Sequence, residues 1–331
     1  VTRRVEIGLV AVIVAVTQEE PRVLIVDAPG TGEPALPAGS LDAARDRTLD
    51  LALRGWVRDR TGLELGYLEQ LYTFGNRFRD PRERKGGPRV VSIAYLALVH
   101  EATPPEPARA AWRPWYDFLP WEDWREGRPG VLDGVLGPAL NRWVASATGA
   151  ERARRAERVD VGFGRGGAFW DGERVLDRYE VVYEAGLVEE AWRAGGGRGE
   201  TSAEEAVSAV SDPGLRVGSA MALDHRRILA SALGRLRGKI RYRPVIFELL
   251  PPTFTLLALQ RTVEALAGRR LHKQNFRRLV EGGGLVETTG RRLARTGGRP
   301  AALFRFRRDV LRERPAPGVG LPGLREPHPE A

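Results

Sequence analysis

The sequence predicts a mixed α/β (α+β) protein: a strand-rich N-terminal sandwich, a helical insertion and a C-terminal winged helix-turn-helix domain. Three observations carry that expectation. The first hundred residues alternate apolar, β-branched runs with a single amphipathic helix. The last third holds two short helices joined by a tight turn and followed by an Arg/Gly-rich hairpin. Charge is also divided unequally. Residues 222–314 carry 22 lysines and arginines against 7 acids, a net of +15, while the remaining chain holds 30 against 36, a net of −6.

At the N-terminus, VEIGLVAVIVAVT and RVLIVD read as two strands separated by the turn QEEP. A helix is expected from about Arg47 to Arg60, with Leu49, Leu53, Trp56 and Val57 inward and Thr61-Gly62 ending it. YLEQLYTFG is a strand, NRFRDPRERKGGPR a polar loop and VVSIAYLALVH a long strand. Strands, one helix and more strands make a compact sandwich.

The middle is less legible. RAAWRPWYDFLPWEDW holds Trp112, Trp115, Trp121 and Trp124, which packing onto the sheet explains better than a base-stacking pocket. GPALNRWVASA reads as a helix with Pro138 near its first turn. ERVLDRYEVVYEAGLVEEAWR places Leu176, Tyr179, Tyr183 and Leu187 on one helical stripe despite Gly186. AGGGRGE is a linker, and Thr201 with Glu204 makes a capping-box start for another helix.

A basic helix, ALDHRRILASALGRLRGKI, leads into the C-terminal domain. In FTLLALQRTVEALAG, Leu256, Leu259, Val263 and Leu266 recur at helical spacing between a capping Thr255 and a terminating Gly268. The second helix turns Phe276, Leu279 and Val280 inward and stops at Gly282-Gly283-Gly284. Its outer face carries Arg270, Gln274, Arg277 and Arg278, with Lys273 and Asn275 at the margins. LVETTG and AALFRFRR read as strands around RRLARTGGRP, a wing bearing Arg291, Arg292, Arg295 and Arg299. Guanidinium and amide groups read purine edges in the major groove, and arginines on a hairpin neutralise phosphates. These ten side chains are the expected DNA contacts, and the concentrated charge is the matching electrostatic footprint. A solvated basic helix beside a basic loop is the bland alternative.

Composition excludes several classes. With no cysteine there is no disulfide, thiolate metal site or cysteine nucleophile, which fits a cytoplasmic location. His100, His225, His272 and His328 are too dispersed for a histidine metal site. The longest apolar run, Gly8–Val16, is too short to span a membrane, and VTRRVEIG is not a secretory signal.

PAG…TLDLALRGWVRDRTGL, following two strands, resembles a worn Nudix box, whose intact form is G-x5-E-x7-R-E-U-x-E-E-x-G-U with U aliphatic. Anchored on Gly62, the box's arginine falls at Gly55, the first acid of the pair at Trp56 and the next two at Asp59 and Arg60, while Gly39 lies two residues too far upstream. Of these three acidic positions only Asp59 keeps a carboxylate, so the helix reads as retained scaffold with the metal chemistry lost. Two longer stretches add to the likeness: YLEQLYTFGNRFRDPRERKGGPRVVSIAYLALV, and the segment from LDHRRILASALGRLRGKI to GGRPAALFRF. Both are similar to Nudix-related transcriptional regulators of NAD metabolism, the NrtR-like group, including relatives that control de novo NAD biosynthesis.

That resemblance, over roughly residues 5–120 and 222–308, implies an α/β/α Nudix-like sensor and a homodimeric winged helix on double-stranded operator DNA. The effector would be a nucleotide: ADP-ribose, NAD, ATP or a related metabolite. It implies no cofactor, no metal and no membrane partner. Arg77, Arg79, Arg82, Arg84 and Lys85 are candidates for the effector's phosphates and Trp56 for the same site, a solvated polar loop being the plainer reading of the five cations. The expected domains are residues 1–150 for the sensor, 151–221 for a helical insertion and linker, 222–314 for the linker helix and reader, and 315–331 for a disordered tail. The dimer contact is expected to include Ile228, Leu229, Leu233 and Leu236, which packing within one subunit explains nearly as well. An active diphosphate hydrolase and an RNA-binding adaptor are the rival readings.

Overall fold

The computed structural model describes residues 4–100, 110–195, 217–293 and 300–320. Strands β1 (Val5–Thr17) and β2 (Glu20–Asp27) form an antiparallel hairpin. Its two turn residues, Gln18 and Glu19, both take positive φ (52° and 65°), which matches the twist of a tight hairpin. Short strands β3 (Pro34–Ala35) and β4 (Ala38–Ser40) pair with β2 and β1. Helix α1 (Leu49–Thr61) starts at Thr48, whose hydroxyl accepts from Leu51 N, and ends at left-handed Gly62. Strand β5 (Tyr67–Phe74) leads to β6 (Arg89–Leu98), which runs parallel to β1 from Val5–Arg89 to Val14–Leu98, and β7 (Ala110–Pro114) covers β2. The central order is β3-β2-β1-β6-β5.

The unbroken apolar run of β1 follows from burial on both faces. Leu9, Ala11, Ile13 and Ala15 meet Leu53 and Val57 of α1, while Val10, Val12 and Val14 join the larger core opposite. Helices α2 (Gly137–Ala145), α3 (Gly149–Phe163), α4 (Val175–Glu184), α5 (Glu189–Gly195) and α6 (His225–Tyr242) follow. Helix α6 lies against β1, β5 and β6 and packs on α4. It therefore forms the second helical layer of the sandwich, whereas its basic sequence predicts a place in the reader. Ile228, Leu229, Leu233 and Leu236 are fully buried in this packing, so they are not free to form a dimer contact.

Other expectations also change. The stripe from Leu176 to Leu187 is broken: α4 stops at Glu184, Gly186 takes φ 70°, and α5 begins afresh at Glu189. The packing expected of the tryptophans, by contrast, is found: Trp115 and Trp121 are fully buried and Trp124 packs on Trp170 at 4.7 Å. Residues 315–320 belong to the fold, because Val319 is buried and its N–H donates to Ile240 O at 2.9 Å. The linker and the Thr201–Glu204 box lie outside the described residues.

The C-terminal domain comprises α7 (Leu256–Ala267), α8 (Lys273–Gly282), β8 (Val286–Leu293), β9 (Ala301–Phe306) and α9 (Val310–Glu313). A buried ionic hub fastens it to the sensor. Glu122, fully buried, accepts from Arg178 of α4 at 2.6 and 2.9 Å and from Arg237 of α6 at 2.6 Å. Arg237 also donates to Leu266 O at 3.0 Å, Tyr116 donates to Ala265 O at 2.7 Å, and Trp124 N–H donates to Gly268 O at 2.7 Å. The carbonyls ending α7 are thus satisfied by sensor-side groups and α6. Burial alone would raise the Glu122 carboxyl's pKa; the Arg178 and Arg237 guanidiniums override it and hold it below its ordinary range.

Candidate functional site

In the reader, Thr255 caps α7 by accepting from Ala258 N at 3.0 Å, and Gly268 closes it at φ 68°. The turn to α8 is braced by Glu264, which accepts from Leu271 N–H at 2.9 Å and from Gln260 Nε2 at 2.8 Å. Phe276 and Val280 anchor α8 to the core. Phe304 and Phe254 exchange backbone hydrogen bonds at 2.8 and 2.9 Å, and Phe306 stacks on Phe247 at 4.4 Å, so these aromatics hold the wing to the domain.

Lys273, Gln274, Asn275, Arg277 and Arg278 are exposed on α8 and make no side-chain hydrogen bond or ion pair among the described residues. The fold thus leaves three cations and two amide groups' worth of donors and acceptors unspent on one element. Arg270 differs: it sits in the turn before α8, bound to Glu126 at 2.8 Å and Glu264 at 3.4 Å, and is not on the helix face. Arg291 and Arg292 are exposed on β8, where a register shift at Gly290 (φ 72°) bends the hairpin. Arg295 and Arg299 lie outside the described residues.

In the sensor, a cavity of about 460 Å³ opens between α1 and the β1–β4 edge. Its lining includes Gly39, Ser40, Arg45, Arg47, Trp56 and Asp59. A side chain at residue 39 would put its Cβ 2.4 Å from Trp56 Nε1, so glycine there is what lets the indole fill this position. The Arg60 guanidinium lies 4.8 Å over the same ring.

Of the proposed effector contacts, only Trp56 lines this cavity. Arg79 is 3% exposed and is committed to both carboxylate oxygens of Asp224 and to Ser92 Oγ, tying the loop to the start of α6. Arg82 is held by Asp80 at 2.8 Å and stands 3.6 Å from Glu6. Arg77 and Arg84 lie 4.6 and 5.1 Å over the Phe78 ring, and Lys85 is exposed. None of these five lines the cavity. Sequence reasoning missed Arg45 and Arg47, yet a signal existed: counting the box back from Gly62 puts Arg47 where the first glutamate belongs.

An intact Nudix box implies a bound divalent cation. The residues here do not fit one, since arginine, tryptophan and arginine occupy three acidic positions and Asp59 stands by itself with its nearest cation, Arg58, at 3.5 Å. No cluster of three or more histidine or acidic side chains suited to a metal occurs among the described residues.

Comparison with known proteins agrees with this division. Residues 246–306 match the NrtR DNA-binding winged helix domain. The ADPR responsive transcriptional repressor NtrR of Acinetobacter baylyi is 42% identical over 87 residues, covering 26% of this chain and 34% of that protein. The chain thus spans about a third of the length of the curated relative it matches. Shewanella oneidensis NrtR complexed with a 27mer DNA superposes with a TM-score of 0.54 at 21% identity, over 92% of this chain and 94% of that one. A MutT/nudix family protein from Enterococcus faecalis gives 0.50 at 13% identity, over 93% and 88%. At such identities the structural likeness shows the fold alone, an NrtR-like arrangement over 92% of this chain.

Proposed function

From a C-terminal domain of the NrtR winged-helix type on an NrtR-like, Nudix-related fold, we propose that this protein is a ligand-responsive transcriptional repressor acting in the cytoplasm on genes of NAD biosynthesis or salvage. The observation that carries the reading is the outer face of α8, where Lys273, Gln274, Asn275, Arg277 and Arg278 are exposed and uncommitted while Phe276 and Val280 fix the helix. That is the arrangement a major-groove reader requires. A single recognition helix covers few base pairs, so a homodimer on a two-fold site supplies the specificity. Its contact lies elsewhere than the apolar stripe of α6.

The effector is a nucleotide of the ADP-ribose, NAD or ATP type, seated in the Trp56 cavity. Trp56 supplies an aromatic face, and Arg45 and Arg47 supply charge for a diphosphate. The A. baylyi relative is ADPR responsive by name, which favours ADP-ribose among the three. The domain binds this ligand without hydrolysing it, because the carboxylates that would hold a catalytic cation are replaced. An RNA-binding adaptor would need aromatics exposed among the cations, and Phe304 and Phe306 are spent on packing.

The test is a selection of bound duplexes from a random pool, followed by fluorescence-anisotropy titration with and without ADP-ribose. We expect one two-fold sequence to be enriched and ADP-ribose to shift its affinity. Enrichment of no sequence, or equal affinity for all duplexes, overturns the reading. Thermal shifts with each nucleotide test the sensor separately: saturation at ~100 times Kd stabilises by about 2.7 kcal/mol, and Trp56→Ala should remove that gain.

A further inference from the structure

A second cavity, of about 310 Å³, lies between the segment 128–141 and the end of α3, and shares no lining residue with the first. It forms where a π-helical turn, Leu132–Leu136, runs directly into α2. Such turns are rare and are frequently found at functional sites. Gly137 at the junction is constrained, since a Cβ there would stand 2.9 Å from Leu132 O.

The walls are of two kinds. Leu132, Leu136, Leu140 and Phe163 make a buried apolar floor. At the rim, Arg128 is committed to Asp133 at 3.0 Å, which neutralises that side. Arg165 is not neutralised. It donates one nitrogen, Nη2, to Asn141 Oδ1 at 2.7 Å, while its buried Nη1 has no hydrogen-bond partner. Buried donors without an acceptor are uncommon in native proteins. A guanidinium held by a neutral amide beside an apolar floor therefore has unmet demand for one anionic acceptor.

We propose that this cavity is a second ligand site, for a small monocarboxylate with an aromatic or branched apolar body. The carboxylate takes the Arg165 edge in a charge-assisted hydrogen bond, and the body rests on Leu136, Leu140 and Phe163. The volume, at the lower end for ligand pockets, admits a one-ring molecule and excludes a dinucleotide. A single unneutralised guanidinium favours one negative charge over a diphosphate. The two cavities therefore take different ligand chemistries, and the inference stands whether or not the Trp56 cavity is the nucleotide sensor.

The probe is 4-(trifluoromethyl)benzoate, followed by fluorine NMR on the full chain, with the corresponding uncharged benzamide as control. We expect submillimolar binding of the acid and binding of the amide weaker by about tenfold. Arg165→Met should weaken the acid by about tenfold with an unchanged circular-dichroism spectrum. Leu136→Trp, which fills the floor, should abolish both, and Trp56→Ala should change neither. Equal binding of acid and amide, full binding by Arg165→Met, or loss of binding in Trp56→Ala overturns the proposal. So does the absence of any binding at about 5 mM acid, which would mean that the cavity holds solvent only.

Discussion

Two side chains that look alike in the sequence can have opposite fates. Gln274 and Arg277 are exposed on α8; Arg226 and Arg237, in an equally basic helix, are buried to 1% and 5% exposure. Replacing Gln274 or Arg277 by Ala should cost roughly 1–3 kcal/mol on the selected site and little on random duplex, as measured by anisotropy. Arg292→Ala should weaken both equally and flatten the salt dependence by about one unit of slope. His225 offers a different test. Its Nδ1 accepts from Leu36 N–H at 3.0 Å, and burial pushes its pKa down to about 4. The folded value lies below the unfolded one, so the unfolded chain takes up the proton first. This contribution is intact above about pH 6.5 and falls by up to ~3 kcal/mol as pH drops towards 4. In His225→Gln, chemical denaturation at several pH values should show a shallower acid decline, and an equal decline would exclude this role.

At the scale of elements, what could be read in advance was periodicity, and what could not was the partner of each face. Helices α1 and α7 begin at Thr48 and Thr255 and end at Gly62 and Gly268, residues that act locally, while α8 falls where its apolar spacing places it. Helix α6 is amphipathic too, but spacing does not say whether its stripe meets a sheet or a second subunit. Its arginines added to the apparent DNA-binding charge, yet Arg227 pairs with Glu180 at 2.7 Å and Lys239 with Glu69 at 2.5 Å. Part of the basicity of residues 222–314 is therefore internal. Leu233→Ala should consequently act as a core truncation, losing about 2–5 kcal/mol of fold stability. Light scattering beside thermal unfolding checks this: a dissociated dimer with undiminished thermal stability would restore the interface reading. The effector loop differs from its sequence expectation for the same reason. Arg79 looked like one free cation among five, and nothing local in NRFRDPRERKGGPR announces Asp224, 145 residues away.

Over the whole molecule, the sensor sheet, the insertion and the reader converge on Glu122. Breaking a buried charge cluster by removing one partner leaves the others uncompensated, typically at a cost of about 3–5 kcal/mol. Glu122→Gln would bury two guanidiniums against a neutral amide and should lower stability by that order. Differential scanning calorimetry should show one earlier transition for the whole chain, whereas a separately melting reader would contradict the hub's role. A second consequence concerns portability. Winged helices are attractive parts for grafting, and a cut before residue 222 looks natural from charge alone. Such an excised piece would keep Arg237 and the α7 carbonyls but leave behind Glu122, Arg178 and Tyr116, and would bare the side of α6 that lies on the sheet. It would be a sticky, cation-rich fragment instead of a transplantable DNA reader, and a working chimera has to bring residues 115–124 and α4 along with it.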